Sequence, residues 1–168
     1  MHTPSGKGVY YQVVISIIGG TKVGLFDKVL GKGDAVTLNK PEGLAAVAVA
    51  AVAADGDISS EEINRVAIDL ATLRAFRNQD MRELGNTLNK VAGLIKRRGP
   101  GPVLAAANSV LRAEEKQSAF FIAADLVVSD GTVEDQEKQF LEELQKTLGV
   151  DDDTALKIVE VVSIKNRS

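Results

Sequence analysis

Apolar residues recur along most of this chain at the spacing of α-helices, and two stretches are almost entirely apolar. Residues 44–54 contain only Leu, Ala and Val, and the run that ends at Val128 includes Ala-Phe-Phe-Ile-Ala at 119–123. A membrane span needs about 20 apolar residues, so such short stretches predict helices buried in a protein core. Because no convincing sheet pattern accompanies them, the chain is predicted to be all-α, a helical bundle of about seven helices.

The other predicted helices have one apolar face, with apolar residues at intervals of three and four. They cover residues 63–73, 81–95, 103–111, 140–148 and 156–162. This pattern is typical of helices that pack one side against a core and leave the other side in water.

Capping residues mark several helix boundaries. Ser59 or Ser60 is expected to cap one helix, with Glu62 completing a capping box with Ser59, and Thr132 is expected to cap another. The Lys-Arg-Arg run at 96–98 precedes Gly-Pro, and basic residues there suit a helix C-terminus. We therefore interpret this run as a helix end rather than a nucleic-acid patch.

Two stretches 75 residues apart look like copies of one another. The first corner (residues 54–62) reads Ala-Asp-Gly-Asp-Ile-Ser-Ser-Glu-Glu, and the second corner (residues 129–137) reads Ser-Asp-Gly-Thr-Val-Glu-Asp-Gln-Glu. Each follows an apolar run and leads into an amphipathic helix, and its Gly can take positive φ. The repeat predicts a duplicated helix-turn-helix with Asp-Gly corners, which can bring the two acidic corners together.

Each corner matches half of an EF-hand calcium loop. Asp55, Gly56, Ile58 and Glu62 fall on loop positions five, six, eight and twelve, and the second corner aligns in the same way. Positions one and three are apolar in both copies, so neither corner alone is an EF-hand. Two half-shells together can supply the roughly 6–8 oxygens that calcium takes. The candidate metal ligands are Asp55, Asp57, Glu62, Asp130, Glu134 and Glu137. In the alternative interpretation, Asp-Gly only makes the turn and the Glu residues only cap the helix.

Charge and composition narrow the function classes. Net charge is −3, with residues 1–40 at +3 and the remainder at −6, and an acidic body argues against general nucleic-acid binding. There is no Cys and the only His is His2, which argues against zinc and against Ser-His-Asp or Cys-His catalysis. Paired carboxylates can serve acid–base or metal-assisted chemistry, but no nucleophile, phosphate loop or His base accompanies them. The chain is predicted not to be an enzyme.

One acidic residue lies inside a buried helix. Asp125 falls in the apolar face of the second buried run, and the residue aligned with it in the first copy is Ala50. The duplication therefore does not require an acid there. We expect Asp125 to be partly buried and to satisfy its carboxylate by hydrogen bonds rather than by a metal.

The domain organisation predicted is an N-terminal arm, residues 1–38, and a helical domain, residues 39–168. The arm is expected to be partly disordered, with residues 9–18 forming a β-prone or disordered stretch. A short amphipathic segment near 24–31 can dock on the body, on a partner or on a membrane surface.

The paired corners, each behind an Ala/Val-rich helix, resemble those of the TerB-like tellurite-resistance family. The Gly-Leu-Phe-Asp-Lys-Val stretch at 24–29 also resembles the usual start of that family. The resemblance implies an all-helical, non-enzymatic protein that is cytoplasmic or peripheral to the inner membrane. It also implies a divalent cation, with calcium as the candidate, at the acidic corners, and protein partners in a resistance or stress complex. A related module stands at the front of a membrane-anchored DnaJ-type co-chaperone.

Residues 1–22 have no counterpart in that family's layout. Val23 can mark an alternative start, or the upstream stretch can be a hydrophobic anchor, and both hypotheses remain open. Two functions are also carried forward. The first is a metal-responsive stress protein of the TerB type, and the second is a co-chaperone-type interaction module whose Asp-Gly corners are purely structural.

Overall fold

A computed structural model describes residues 10–12, 15, 35–53, 58–129 and 131–167. Residues 35–53, 58–129 and 131–167 form seven α-helices and one 3₁₀ turn, and the described part of the chain contains no strand. The helices are α1 (Lys40–Val52), α2 (Ser60–Ala71), α3 (Met81–Arg98), α4 (Pro100–Val110), α5 (Ala113–Val128), α6 (Asp135–Leu148) and α7 (Asp152–Lys165), with the 3₁₀ turn at Arg74–Phe76. The prediction of an all-α bundle of about seven helices is confirmed.

Capping at the helix starts explains where the chain turns. Asn39 caps α1 and forms a capping box with Glu42, and Ser59 forms the predicted box with Glu62 at the start of α2. Helix α3 ends in the expected basic turn, followed by Gly99 at φ 80°. Helix α6 begins after Glu134, so the prediction that Thr132 caps it is wrong.

Helix α1 lies at the centre of the bundle. Its residues from Gly43 to Ala51 are buried, and it packs against α3, α4 and α5. Small side chains allow this close approach: a Cβ added at Gly43 would meet the side chain of Val110 at 3.0 Å. The second buried helix, α5, packs against α1 on one side and against α6 and α7 on others. The two apolar runs of the sequence are thus the two central helices.

The described residues of the N-terminal arm differ from the expected β-prone or disordered stretch. Residues 10–12 and 15 are helical, and Tyr10 and Tyr11 are buried. The ring of Tyr11 lies 4.9 Å from that of Phe140, centroid to centroid, and its hydroxyl donates to the carbonyl of Ala51 at 2.9 Å. Burial of two aromatic rings explains the order of this short piece.

Other predictions for the arm lie outside the described residues, including the amphipathic segment near 24–31. Among the residues described, no helix is both long enough and apolar enough to cross a membrane.

Candidate cation site

Glu62 of the first corner lies in the first turn of α2. The Ser59 backbone N–H donates to Glu62 Oε2 at 3.0 Å, and the Glu62 N–H donates to Ser59 Oγ at 3.2 Å. This reciprocal pair fixes the helix start and the position of the Glu62 carboxylate. The other carboxylate oxygen, Oε1, takes no part in that pair.

The second corner delivers Glu137 to the same position of α6. Gly131 at φ 81° turns the chain at the end of α5, and its N–H donates to the carbonyl of Val128 at 2.9 Å. Helix α6 then begins with Glu134 as its N-cap, which places Glu137 three residues further on, as Glu62 is from Ser59. Glu137 is only 8% exposed, whereas Glu62 is half-buried. The 75-residue register predicted from the sequence therefore holds at both helix starts.

Glu62 and Glu137 line one cavity of about 120 Å³, which lies beside the C-terminal ends of α1 and α5 and the first turns of α2 and α6. The first copy contributes Ala51, Val52, Glu62 and Arg65, the second contributes Leu126, Val127, Ser129 and Glu137, and the arm contributes Tyr11. One glutamate from each corner thus lines the same cavity.

Two equivalent backbone carbonyls lie at the C-terminal ends of the central helices beside this cavity. The carbonyl of Ala51 accepts from the Tyr11 hydroxyl, and the carbonyl of Leu126 accepts from Arg65 Nη2 at 3.3 Å and from Ser129 Oγ at 3.0 Å. The last carbonyls of a helix have no partner within the helix and carry partial negative charge. Side chains from elsewhere therefore cap both helix ends.

The remaining predicted ligands are placed differently. Glu134 is exposed at the start of α6 and does not line the cavity. Asp55, Asp57 and Asp130 lie outside the described residues. Within the described residues, no group of three or more His, Cys, Asp or Glu side chains is arranged to hold a metal ion.

Sequence reasoning missed two residues that line the cavity. Arg65 could have been found, because it lies three residues after Glu62 and so shares its helix face. Tyr11 carried no such signal, since it is 40 residues from its hydrogen-bond partner, Ala51.

A second polar cavity, of about 210 Å³, shares two residues with the first. Arg65 and Ser129 line both, and Asp69, Asp125, Lys165 and Asn166 complete the second. Asp125 is 5% exposed, and its carboxylate accepts from Lys165 Nζ at 2.5 Å and from Asn166 Nδ2 at 2.9 Å. The prediction that hydrogen bonds satisfy a buried Asp125 is confirmed.

Asp69 is the perturbed carboxyl of this second cavity. Burial, followed by the nearby charge of Asp125, raises the pKa of Asp69 above its ordinary value, although Lys165 and Arg65 act in the opposite direction. The two aspartates therefore repel one another, and the two cations offset part of that repulsion.

Comparison with known proteins points to one family. The family model described as "Tellurite resistance protein TerB" matches residues 42–158, well over half of the chain. Comparison with curated proteins and with solved structures gave no match. The matched region runs from the first turn of α1 into α7 and so contains both corners. The chain therefore belongs to the TerB family.

Proposed function

We propose that this protein is a non-enzymatic, metal-responsive stress protein of the TerB type that binds a divalent cation, calcium in the first instance, between its two corners. The observation that carries the proposal is that Glu62 and Glu137, from equivalent positions of the two copies, line the same cavity. Asp55, Asp57 and Asp130 would supply further ligands, whereas Glu134 does not line the cavity.

The chemistry of the cavity suits such an ion. The oxygen-bearing side chains that line it are those of Tyr11, Glu62, Ser129 and Glu137, and hard cations such as calcium and magnesium take oxygen ligands. The Arg65 guanidinium lines the same cavity, and its positive charge opposes a bound cation. The C-terminal ends of α1 and α5 add the negative ends of two helix dipoles. Bound, a cation would offset repulsion between carboxylates that the duplication brings together.

Calorimetric titration of the whole protein with calcium and with magnesium tests the cation site. A cation that binds only the folded state should stabilise it by about 2.7 kcal/mol at a hundredfold excess over the dissociation constant. Glu62→Gln and Glu137→Gln should each abolish this gain, since either breaks the shared site. Gln can replace Glu in a capping box, so Glu62→Gln retains the cap of α2.

Glu83→Gln is the matched control. Glu83 occupies the same capping-box position in α3 and does not line the cavity, so its variant should bind the cation like the wild type. No heat and no thermal shift at millimolar metal would refute the cation site. If each of the two site variants keeps half of the response, the corners are separate sites.

A role in tellurite resistance, exercised through protein partners of a stress complex near the inner membrane face, completes the proposal. Its support is the family match over residues 42–158. In a strain that lacks this gene, growth in tellurite should be restored by the wild-type gene and not by the variant with both Glu62→Gln and Glu137→Gln. Equal restoration by the two genes would separate tellurite resistance from cation binding.

The competing function is a co-chaperone-type interaction module with structural corners. One observation favours it: Glu62 is held in a capping box, which accounts for its presence without any metal. In that case, Asp55→Asn and Asp130→Asn would destabilise the metal-free protein and leave its partners bound. For the cation site we expect the opposite, namely slightly higher stability without metal and loss of the metal response.

A further inference from the structure

An apolar groove lies between α5, α6 and α7, and among the described residues it shares no lining residue with the cavity of Glu62 and Glu137. Phe120 and Leu141 in this groove are buried, whereas Leu156 is 59% exposed. Because apolar surface that faces water is unfavourable, the groove suits an apolar occupant. Its volume is about 460 Å³, and its apolar lining includes Phe120, Val133, Leu141, Ala155, Leu156 and Val159.

The polar rim of the groove is mainly acidic. Glu142 and Asp152 line it with one basic residue, Lys138. Two more acids, Asp151 and Asp153, are exposed on either side of Asp152 at the start of α7. Within the described part of the chain, Glu142 has no ion pair. An occupant with one apolar face and basic residues beside it would therefore match the groove in both apolar surface and charge.

One segment of this chain has that chemistry. Residues 24–31, which lie outside the described residues, read Gly-Leu-Phe-Asp-Lys-Val-Leu-Gly. The spacing of their apolar residues is typical of one face of a helix, formed by Leu25, Phe26, Val29 and Leu30. Residues 22–32 carry three lysines and one aspartate, which gives a net charge of +2. The segment is therefore apolar on one face and basic overall.

The chain that precedes this segment is held against a wall of the groove. Gln12 donates from Nε2 to Gln139 Oε1 at 3.4 Å, so the arm contacts α6. Helix α6 also supplies Leu141 and Glu142 to the groove. An extended chain covers about 3.3–3.6 Å per residue, so residues 16–23 can span about 30 Å. Since α6 has 14 residues and is only about 21 Å long, the segment can reach the groove from this side.

The chain that follows the segment is also held near the groove. Lys40, at the start of α1, places its Nζ 3.4 Å from Oε1 of Glu115 in the first turn of α5. Phe120 of the groove follows Glu115 by five residues, a rise of about 7.5 Å along α5. Residues 32–34 can span about 13 Å when extended, which exceeds that rise. The segment is thus tethered at both ends to parts of the bundle that adjoin the groove.

We propose that residues 24–31 occupy this groove, with their apolar face on its apolar lining and Lys28 beside its acidic rim. Attachment at both ends gives such a segment a local concentration of about a millimolar. Contacts too weak to hold a separate peptide are therefore enough to hold it. A partner or a membrane surface that binds the same apolar face must displace the segment from the groove. The inference does not depend on the proposed cation site.

Disulfide trapping in the full-length protein tests this docking. The chain has no Cys, so Val29→Cys and Leu156→Cys introduce its only two thiols. Cys is itself a small apolar side chain and keeps the face of the segment apolar. Because a disulfide requires Cα atoms within about 7 Å, oxidised glutathione should link this pair at least about tenfold faster than a pair outside the groove.

Val29→Cys with Ile68→Cys is the matched control. Ile68 is largely exposed, as Leu156 is, and it lies on α2 outside the groove. Adding Phe26→Asp to the Val29 and Leu156 pair should lower the rate to that of the control, since a charge on the apolar face opposes its burial. Thermal unfolding of the reduced proteins checks that each variant folds. Should Leu156→Cys fail to fold, Lys138→Cys, exposed on the rim of the groove, takes its place.

The mass and the rate of the trapped product decide the outcome. A product of monomer mass that forms faster than the control, and that depends on Phe26, supports the inference. Equal rates for the two pairs would overturn it, as would an unchanged rate with Phe26→Asp. A product of twice the monomer mass would assign the groove to a second copy of the chain and would also overturn it. None of these results bears on calcium titration, so this inference and the proposed function fail separately.

Discussion

Residue 65 in the first copy corresponds to residue 140 in the second. The first is an exposed arginine and the second is a buried phenylalanine. Arg65 is exposed and reaches across to the carbonyl of Leu126 at the end of α5. Phe140 is buried and packs on Tyr11, whose hydroxyl reaches the equivalent carbonyl, that of Ala51, at the end of α1. The Ala51 carbonyl is thus capped by a tyrosine hydroxyl from the arm, and the Leu126 carbonyl by Ser129 at the end of its own helix and by the Arg65 guanidinium.

The two glutamates also differ in burial: Glu137 is more buried than Glu62, just as Phe140 is more buried than Arg65. Glu62 is half-buried and shares a capping box with Ser59, whereas Glu137 is buried and follows an N-cap, Glu134, whose side chain makes no cap hydrogen bond. The position that is Ala50 in the first copy is Asp125 in the second, where it binds the C-terminal helix through Lys165. The two corners thus agree in the position of the helix start and of one cavity carboxylate, while Glu62 and Arg65 of the first are more exposed than Glu137 and Phe140 of the second.

The largest expected effect separates Phe140 from Arg65. Phe140→Ala should lower the free energy of unfolding by about 3–5 kcal/mol, because it leaves a cavity in a packed core. Arg65→Ala should cost less than about 1 kcal/mol, since it removes one long hydrogen bond from an exposed side chain. Urea unfolding in chelator measures both. Equal losses of unfolding free energy would contradict the assignment of Phe140 to the core and of Arg65 to the surface.

The next largest effect concerns the ion pair between Asp125 on α5 and Lys165 on α7. Lys165→Ala should cost about 1–3 kcal/mol, because the buried carboxylate of Asp125 loses its cation. Lys157→Ala, on the same helix, should change stability by less than about 0.5 kcal/mol. Thermal unfolding of the two variants provides the comparison. A loss no greater than that of the control would show that the second copy is not anchored in this way.

The two helix caps should also respond differently. Ser59→Ala should cost about 1 kcal/mol, the typical value for a capping side chain, because the Glu62 N–H loses its acceptor. Glu134→Ala should cost only a few tenths of a kcal/mol, through the helix dipole, since its side chain makes no cap bond. Urea unfolding in chelator measures both, and a larger loss at Glu134 would contradict the assignment.

The smallest effect is the pH dependence contributed by Asp69. Its pKa is raised in the folded protein, so the stability it contributes is fully present below the ordinary Asp value and is lost as pH rises through the raised value. Asp69→Asn should therefore stabilise the protein at neutral pH, by less than about 1 kcal/mol because solvent screens a partly buried carboxyl. The advantage should vanish below about pH 3.9. Chemical unfolding across this range measures the difference.

The fold was predictable because its signals are local. Periodicity, the Ser59 cap and the two apolar runs are each read within a few residues of sequence, and the structure contains all of them. Of the six predicted ligands, Glu62 and Glu137 line the cavity, and the repeat placed these two in register. Tyr11 did not follow, because nothing near residue 11 indicates that its hydroxyl meets Ala51. The N-cap of α6 was predicted to be Thr132 and is Glu134. Several residues after Gly131 can cap a helix, and the sequence alone does not decide between them.

The enclosure of α1 has a consequence for motion. Every side of α1 faces another helix from Gly43 to Ala51, so its amide hydrogens can exchange with water only when most of the bundle opens. Helices α2 and α6 have solvent-facing sides and can fray without such opening. The cavity therefore lies between the end of α1, whose amides we expect to exchange slowly, and the first turns of α2 and α6, whose amides we expect to exchange faster. Occupation of the cavity would slow exchange in those first turns and leave exchange in α1 almost unchanged.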